Sequence, residues 1–332
     1  MTKVGLRGTR ALALTMLLLF SLGGCSGPGD DSMRVYVDGA IAGLSEGYFA
    51  DGNTWNDAVD DALPGLYAAE SIPETYPALR QLTKVAGGEH SFFSTPTEAA
   101  RWEEPYSQDG VPMPAATYES GVGTITIPGF SSARQDEIEQ YLGAAAAIFA
   151  AEPAQEACGW VIDLRFNEGG NLFAMLAAVS PLLDEGKVEG FRERDGTVSH
   201  VDLRGNTVTW DGKDTWDGTD GSLPGEPIRL PGRSIAIVQS AVTASAAESV
   251  IIAFAGQAQV ETFGVKSGGF TTVNDGFELS DGAYVTLSFA LMQDRDGNVF
   301  EGGIMPDHDT RNAGPLALQA AHNWAVEQCE AS

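Results

Sequence analysis

Apolar and polar positions change period several times along the chain, and each change marks a different kind of element. Residues 35–44 (VYVDGAIAGL) and 76–88 (YPALRQLTKVAGG) repeat apolar residues at helical spacing, with polar turns between them. They predict a small helical domain over 33–100. From Gly121 the period shortens: 121–130 (GVGTITIPGF) is a short β-rich run ended by Pro128, and Ser132 with Gln135 forms a capping box that would open a helix over 133–153. A buried strand follows at 159–166 (GWVIDLRF), then a turn at Gly169 and Gly170, then an apolar helix over 172–183. Strand, helix, strand, helix is the pattern of βαβ units with helical crossovers. Residues 185–232 are rich in Gly, Asp, Thr and Trp and read as inserted β-hairpins, a lid or a wall beside a substrate. The strands 234–240 (SIAIVQS) and 258–264 (AQVETFG) bracket a small-residue helix, hairpins form around Asp281-Gly282 and Asp296-Gly297, and a helix from Pro315 to about Gln328 closes the chain.

The N-terminus has its own logic. Lys3, Arg7 and Arg10 precede an apolar run over 11–22 and the sequence LGGC, which reads as an export signal over residues 1–25. That run is too short for a permanent span, which needs roughly 20 apolar residues. LGGC resembles a bacterial lipobox, which implies cleavage before Cys25, acylation of its thiol and a tether over 26–32; an ordinary secretory signal with a chance cysteine is the alternative. The other cysteines, Cys158 and Cys329, form an even pair that an oxidising compartment would join, unless they are unrelated thiols. With 46 acidic and 19 basic residues the net charge is −27, which argues against a nucleic-acid partner and against anionic membrane surfaces. Membrane association would then run through the lipid anchor.

Candidate chemistry begins at 241–256 (AVTASAAESVIIAFAG), where Ser245 opens a helix after a strand. Unpaired N–H groups and positive dipole at a helix start suit the oxyanion of acyl transfer. Ser245 and Glu248 equally satisfy S-x-x-E, a plain capping box.

Two further motifs bear on that choice. Asp163, Arg165, Asn167, Gly169 and Gly170 resemble the D-L-R-x-N-x-G-G signature of S41 (tail-specific) serine proteases, and 243–248 (TASAAE) resembles their S-A-S-A-x-E nucleophile motif. Residues 121–130 and 275–307 resemble the opening strand and closing hairpins of the family, so the resemblance covers about 121–307. It implies an α/β, ClpP/crotonase-like protease core of βαβ units with β-hairpin insertions over 115–310, preceded by the helical domain and followed by a helix and tail over 311–332. It also implies that Ser245 is the nucleophile, that the N–H of Ala246 is one oxyanion donor, and that Gly169 or Gly170 supplies the second.

The general base departs from the Ser-Lys pattern. Where that pattern carries lysine, the run 264–270 (GVKSGGF) ends in Phe270, and Lys266 lies four positions early. A second branch of the family, of the tricorn type, uses histidine and glutamate. Residues 87–93 (GGEHSFF) resemble its D-G-H-S loop, giving His90 as base, and Glu301 in 300–307 matches its glutamate, which would orient the imidazole. Glu89 stands where that pattern has serine, and Ser91 is a substitute. His200, His308 and His322 read as surface or packing residues. Asp294, Asp296 and Asn298 echo a calcium loop without its spacing, so no metal and no cofactor are expected.

Between Pro96 and Gly121 there is no room for a PDZ module, since domains start near 50 residues. The expected function is a serine-type endopeptidase acting on protein or peptide substrates outside the cytoplasm. A non-catalytic binding protein on the same scaffold, and an esterase or amidase on small acyl substrates, stay open.

Overall fold

The computed structural model describes residues 30–104, 106, 110–211 and 221–331. The proposed signal, the lipidation site Cys25 and most of the tether therefore lie outside the described residues, and the first helix already begins at Asp30 within the stretch read as tether. In chain order the elements are α1 (Asp30–Leu44), α2 (Gly52–Tyr67), α3 (Ile72–Gly87), β1 (Phe92–Ser94), α4 (Pro96–Ala99), β2 (Ala115–Glu119), β3 (Val122–Thr126), α5 (Gln135–Ala150), α6 (Glu152–Glu156), β4 (Gly159–Asp163) and α7 (Leu172–Val179). Then come β5 (Gly186–Glu193), β6 (Val198–Arg204), β7 (Thr207–Trp210), β8 (Ser234–Gln239), α8 (Ala246–Phe254), β9 (Val260–Gly264), β10 (Thr272–Glu278), β11 (Tyr284–Asp294), β12 (His308–Asp309) and α9 (Pro315–Ala331).

One sheet runs β12-β9-β8-β4-β3-β2, parallel from β12 to β3 and antiparallel at the edge strand β2. Its strands alternate between two cores, as a two-period backbone requires. Val161, Ala236 and Val238 face Ala317, Ala321 and Ala325 of α9. Their neighbours Trp160, Ile162, Ile235 and Ile237 join the core formed with α5, α7 and α8. Small alanines on α9 bring that helix close to the sheet, and a disulfide between Cys158 and Cys329, with Cα atoms 5.5 Å apart, fastens its far end beside β4.

The second sheet is antiparallel, in the order β1-β11-β5-β6-β7, with β10 on the other edge of β11. The hairpins expected over 185–232 form β5, β6 and β7, but not as a lid. Val188, Phe191, Val201 and Leu203 from these strands are buried in the main core with α7 and α8, so the hairpins are a structural layer. The turn at Asp195-Gly196 falls where the dipeptide predicts, while 212–220 lie outside the described residues.

Three sequence readings need correction. Residues 52–67, read as polar turns, form α2, because Trp55 and Leu66 bury one face while the acidic residues face water. The helix over 133–153 starts at Gln135, and Ser132 accepts the N–H of Arg134 instead of closing a capping box. Finally, the N-terminal helices pack Tyr36, Leu44, Leu79 and Leu82 onto Val285 and Leu287 of β11, and β1 pairs with β11 directly. The helical region and the protease core thus share a strand. Asp294 spends its carboxylate on the N–H groups of Asp296 and Asn298 and on the Asn298 amide, which is turn chemistry.

Candidate active site

The C-terminal ends of β3, β4 and β8 meet where the two family motifs lie. Beyond β4, Arg165 grips Asp163 through two guanidinium nitrogens at 2.8 and 2.7 Å, both residues being buried. This pair locks the strand end. Asn167, fully buried, ties three segments together: its amide donates to Ile127 O, its carbonyl accepts Ala244 N–H, and its Oδ1 accepts Gly169 N–H at 2.8 Å. On the β8 side, Ser240 and Thr243 hydroxyls donate to Arg165 O and Leu164 O. The loop carrying Ser245 is therefore sewn to the Gly-Gly turn by buried hydrogen bonds.

Glycine is required in that turn for a specific reason. At Gly169 (φ +102°) a Cβ would come within 2.7 Å of Ser245 Cβ, and at Gly170 (φ +129°) within 2.1 Å of Phe130 O. Ser245 is thereby pressed against the turn.

Ser245 itself has φ +56° and ψ −121°. An N-cap normally sits in the extended region, as do Thr95 (φ −63°, ψ 162°) and Asn171 (φ −75°, ψ 103°), both of which cap their helices through the side chain. For a serine the Ser245 conformation costs on the order of 1–3 kcal/mol, and capping alone does not call for it. Glu248 holds the strained turn. Buried completely, its carboxylate accepts the N–H groups of Ser245, Gly269 and Phe270 and the hydroxyl of Ser267. The Ala246 N–H, at the first position of α8, makes no hydrogen bond among the described residues and is free to receive an anion.

Of the two glycines expected to offer the second oxyanion donor, Gly169 is not available, because Asn167 takes its N–H. Gly170 N–H has no hydrogen bond among the described residues. Gly169 and Gly170 also line a cavity of about 530 Å³ with Pro128, Phe130, Phe166 and Glu168. Phe166, 77% exposed, stands at its edge with Arg165 stacked on its ring.

His90 lies in the loop between α3 and β1, on the side of the second sheet. Together with Glu301, Phe270 and Tyr48 it lines a second cavity of about 300 Å³. Its ring lies 5.2 Å from that of Phe270, and the Phe270 N–H shares one Glu248 oxygen with the Ser245 N–H. Burial lowers its pKa to about 4, opposed by a hydrogen bond to the Thr272 main chain and reinforced by the charge of Lys84. The imidazole is neutral near pH 7.

Its expected carboxylate partner is not hydrogen-bonded to it among the described residues. Glu301 is exposed on the loop after β11 and makes no hydrogen bond to His90, whose Nδ1 lies 2.8 Å from Thr272 Oγ1. Glu301 and His90 line the same cavity. Lys266 is exposed, and Phe270 occupies the lysine position of the Ser-Lys pattern. Thr272 went unnoticed in the sequence because a hydroxyl on a β-strand carries no motif.

A family model for peptidase family S41 matches residues 121–310. The chain belongs to that family. Among curated proteins it is 27% identical over 290 residues to a nisin-resistance protein from Lactococcus lactis subsp. lactis, covering 87% of this chain and 86% of the relative. Among solved structures it resembles a lipoprotein from Streptococcus agalactiae, with TM-score 0.74 and 23% identity, covering 94% of this chain and all of that one. It also resembles the photosystem II D1 C-terminal processing protease, with TM-score 0.57 and 14% identity over 88% of this chain and 97% of the other. These two structures share the fold. Membership in S41 makes this a chain of the peptidase class, and the geometry above is what its residues bring to that chemistry.

Proposed function

We propose that the chain is a serine peptidase of the cell envelope, in which Ser245 is the nucleophile and His90 the general base. Ser245 Oγ attacks the peptide carbonyl carbon while its proton passes to His90 Nε2, and the carbonyl π electrons become an oxyanion held by the N–H groups of Ala246 and Gly170. Collapse of that intermediate breaks the C–N bond, and His90 returns the proton to the leaving amine. Water then attacks the acyl-enzyme with the same proton route reversed, which releases the acid and restores Ser245.

The observation that carries this reading is the backbone of Ser245. Its positive φ, held by Glu248 and abutted by Gly169, puts a half-buried serine at a helix start in a backbone conformation that the capping box with Glu248 does not by itself need. The export-type segment over 1–25 with Cys25 supports a lipid-anchored, extracytoplasmic location, and among the described residues no helix is long and apolar enough to cross a membrane. The surrounding charge of −27 favours basic or neutral peptide segments as substrates. A relative named for nisin resistance makes nisin one of the peptides to try.

A non-catalytic binding role is the second reading, favoured by Phe270 at the lysine position of the Ser-Lys pattern and by the lack of a hydrogen bond between Glu301 and His90 among the described residues. The test is turnover: the full chain is incubated with nisin and a mixed peptide library, and fragments are followed by mass spectrometry. Cleavage that disappears in Ser245→Ala and falls sharply in His90→Ala supports the peptidase. Cleavage unchanged in both variants removes the assignment, and binding without any cleavage favours the second reading.

A further inference from the structure

Behind His90 lies a chain of polar groups that the carboxylate of the expected triad does not join. Thr272 Oγ1 is 2.8 Å from His90 Nδ1 and 2.9 Å from Ser288 Oγ, and Ser288 Oγ is 2.6 Å from Asn274 Oδ1. The Asn274 amide nitrogen donates to the carbonyl of His90 itself at 3.0 Å. Ser91 Oγ, accepting the Ser288 N–H at 2.8 Å and lying 3.3 Å from Ser288 Oγ, completes the shell. These residues come from the loop after α3 and from β10 and β11, where Asn274 pairs with Ser288 across the sheet.

Only one arrangement of protons satisfies this chain. The His90 carbonyl can only accept, so the Asn274 NH₂ faces it and Oδ1 is turned to Ser288. Oδ1 can only accept as well, so Ser288 uses its single proton there. Thr272 must then donate to Ser288, which consumes the single Thr272 proton. What remains on Thr272 toward His90 is a lone pair, so His90 Nδ1 must be the donor. Ser288 Oγ, with two lone pairs, receives Thr272 and Ser91 without conflict.

We infer that Thr272, Ser288 and Asn274 are positioning residues that hold neutral His90 as its Nδ1–H tautomer, leaving the lone pair on Nε2 for the proton of Ser245. The inference rests on the reading of His90 as general base. A neutral relay of two hydroxyls and an amide stands where a carboxylate would otherwise fix the imidazole. It orients the ring through the backbone as well, since Asn274 grips the His90 carbonyl. Unlike a carboxylate, it brings no full negative charge to stabilise the imidazolium, consistent with a base that stays neutral down to low pH.

The test is long-range ¹H–¹⁵N NMR of the full chain labelled at histidine, recorded near pH 7 and assigned against His90→Gln. The inference expects a protonated Nδ1 and an unprotonated Nε2. A protonated Nε2, or an even mixture of tautomers, overturns it. Thr272→Val removes the acceptor while keeping the shape. It should shift the tautomer balance and lower kcat about 10- to 100-fold with KM within about twofold, and Thr272→Ser should restore most of the loss. An unchanged His90 tautomer in folded Thr272→Val overturns the relay. Failure of the peptidase reading is seen separately, as wild-type turnover in His90→Ala, and leaves the tautomer result intact.

Discussion

The two halves of the proposed site are built on opposite principles. The Ser245 half is local and rigid: the ends of three adjacent parallel strands, a buried Asp163–Arg165 pair, Asn167 and Glu248 fix a strained turn through closely spaced motifs. The His90 half is assembled at long range, with a loop residue held by hydroxyls on β10 and β11, some two hundred positions away in sequence. The first half tolerates little change because strain must be held by buried bonds. The second can exchange one neutral partner for another, provided the proton order survives.

Substitution at Gly169 should produce the largest contrast. Gly169→Ala drives a Cβ to within 2.7 Å of Ser245 Cβ in a backbone region that alanine disfavours. Peptide hydrolysis should fall by about 100-fold or more, while thermal unfolding still shows a folded chain. Near-normal kcat would mean that the Ser245 turn is not set by this contact.

Glu248→Gln comes next. The carboxylate offers acceptors on both oxygens to four donors, so an amide presents NH₂ to facing donors whichever way it flips. The cost should be about 1–3 kcal/mol in stability by denaturant titration, with at least a roughly tenfold drop in kcat. An effect confined to stability would separate Glu248 from the placement of Ser245.

Phe270 probes the histidine half. His90 accepts a proton only when neutral, so kcat/KM rises as pH passes upward through its pKa, which burial lowers to about 4. The wild type should therefore keep activity at pH 5. Phe270→Ala admits water to the imidazole and should move the acid limb up by roughly one pH unit, measured as kcat/KM from pH 4 to 8. The same shift carries a stability term. Between an ordinary value near 6.5 in the unfolded chain and about 4 in the folded one, the unfolded state binds more protons, so stability falls as pH drops through that window.

Reduction of Cys158–Cys329 should affect the site least. The bond fastens α9 to the sheet on the face away from α7 and α8. Reduction should lower unfolding stability by about 2–4 kcal/mol while kcat under native conditions stays within about twofold; a larger loss of kcat would tie α9 to the catalytic face.

The same contrast explains what the sequence reveals. The parallel core was legible because its strands are unbroken apolar runs followed by glycine turns and small-residue helices, and the Ser245 neighbourhood because its parts sit within two short motifs. Helix α2 was hidden by Pro64 and its dense acidic residues, and the burial of the β5 to β7 hairpins in the main core by turn-rich composition that suggests an exposed lid. Spacing could not tell that Asn167 occupies the Gly169 N–H, nor that His90 Nδ1 meets Thr272 and not Glu301, because both depend on side-chain direction. The hydroxyls behind His90 carry no pattern, since strand register alone brings Asn274 and Ser288 together.

Covalent labelling with a fluorophosphonate tests the pairing of Ser245 with His90 most directly. The full chain, Ser245→Ala and His90→Ala are exposed to the probe near pH 7, and the modified residue is located by peptide mass spectrometry. The account predicts a single adduct on Ser245, absent from Ser245→Ala and formed far more slowly in His90→Ala. Labelling that persists at another residue in Ser245→Ala, or that proceeds at the wild-type rate in His90→Ala, would contradict it.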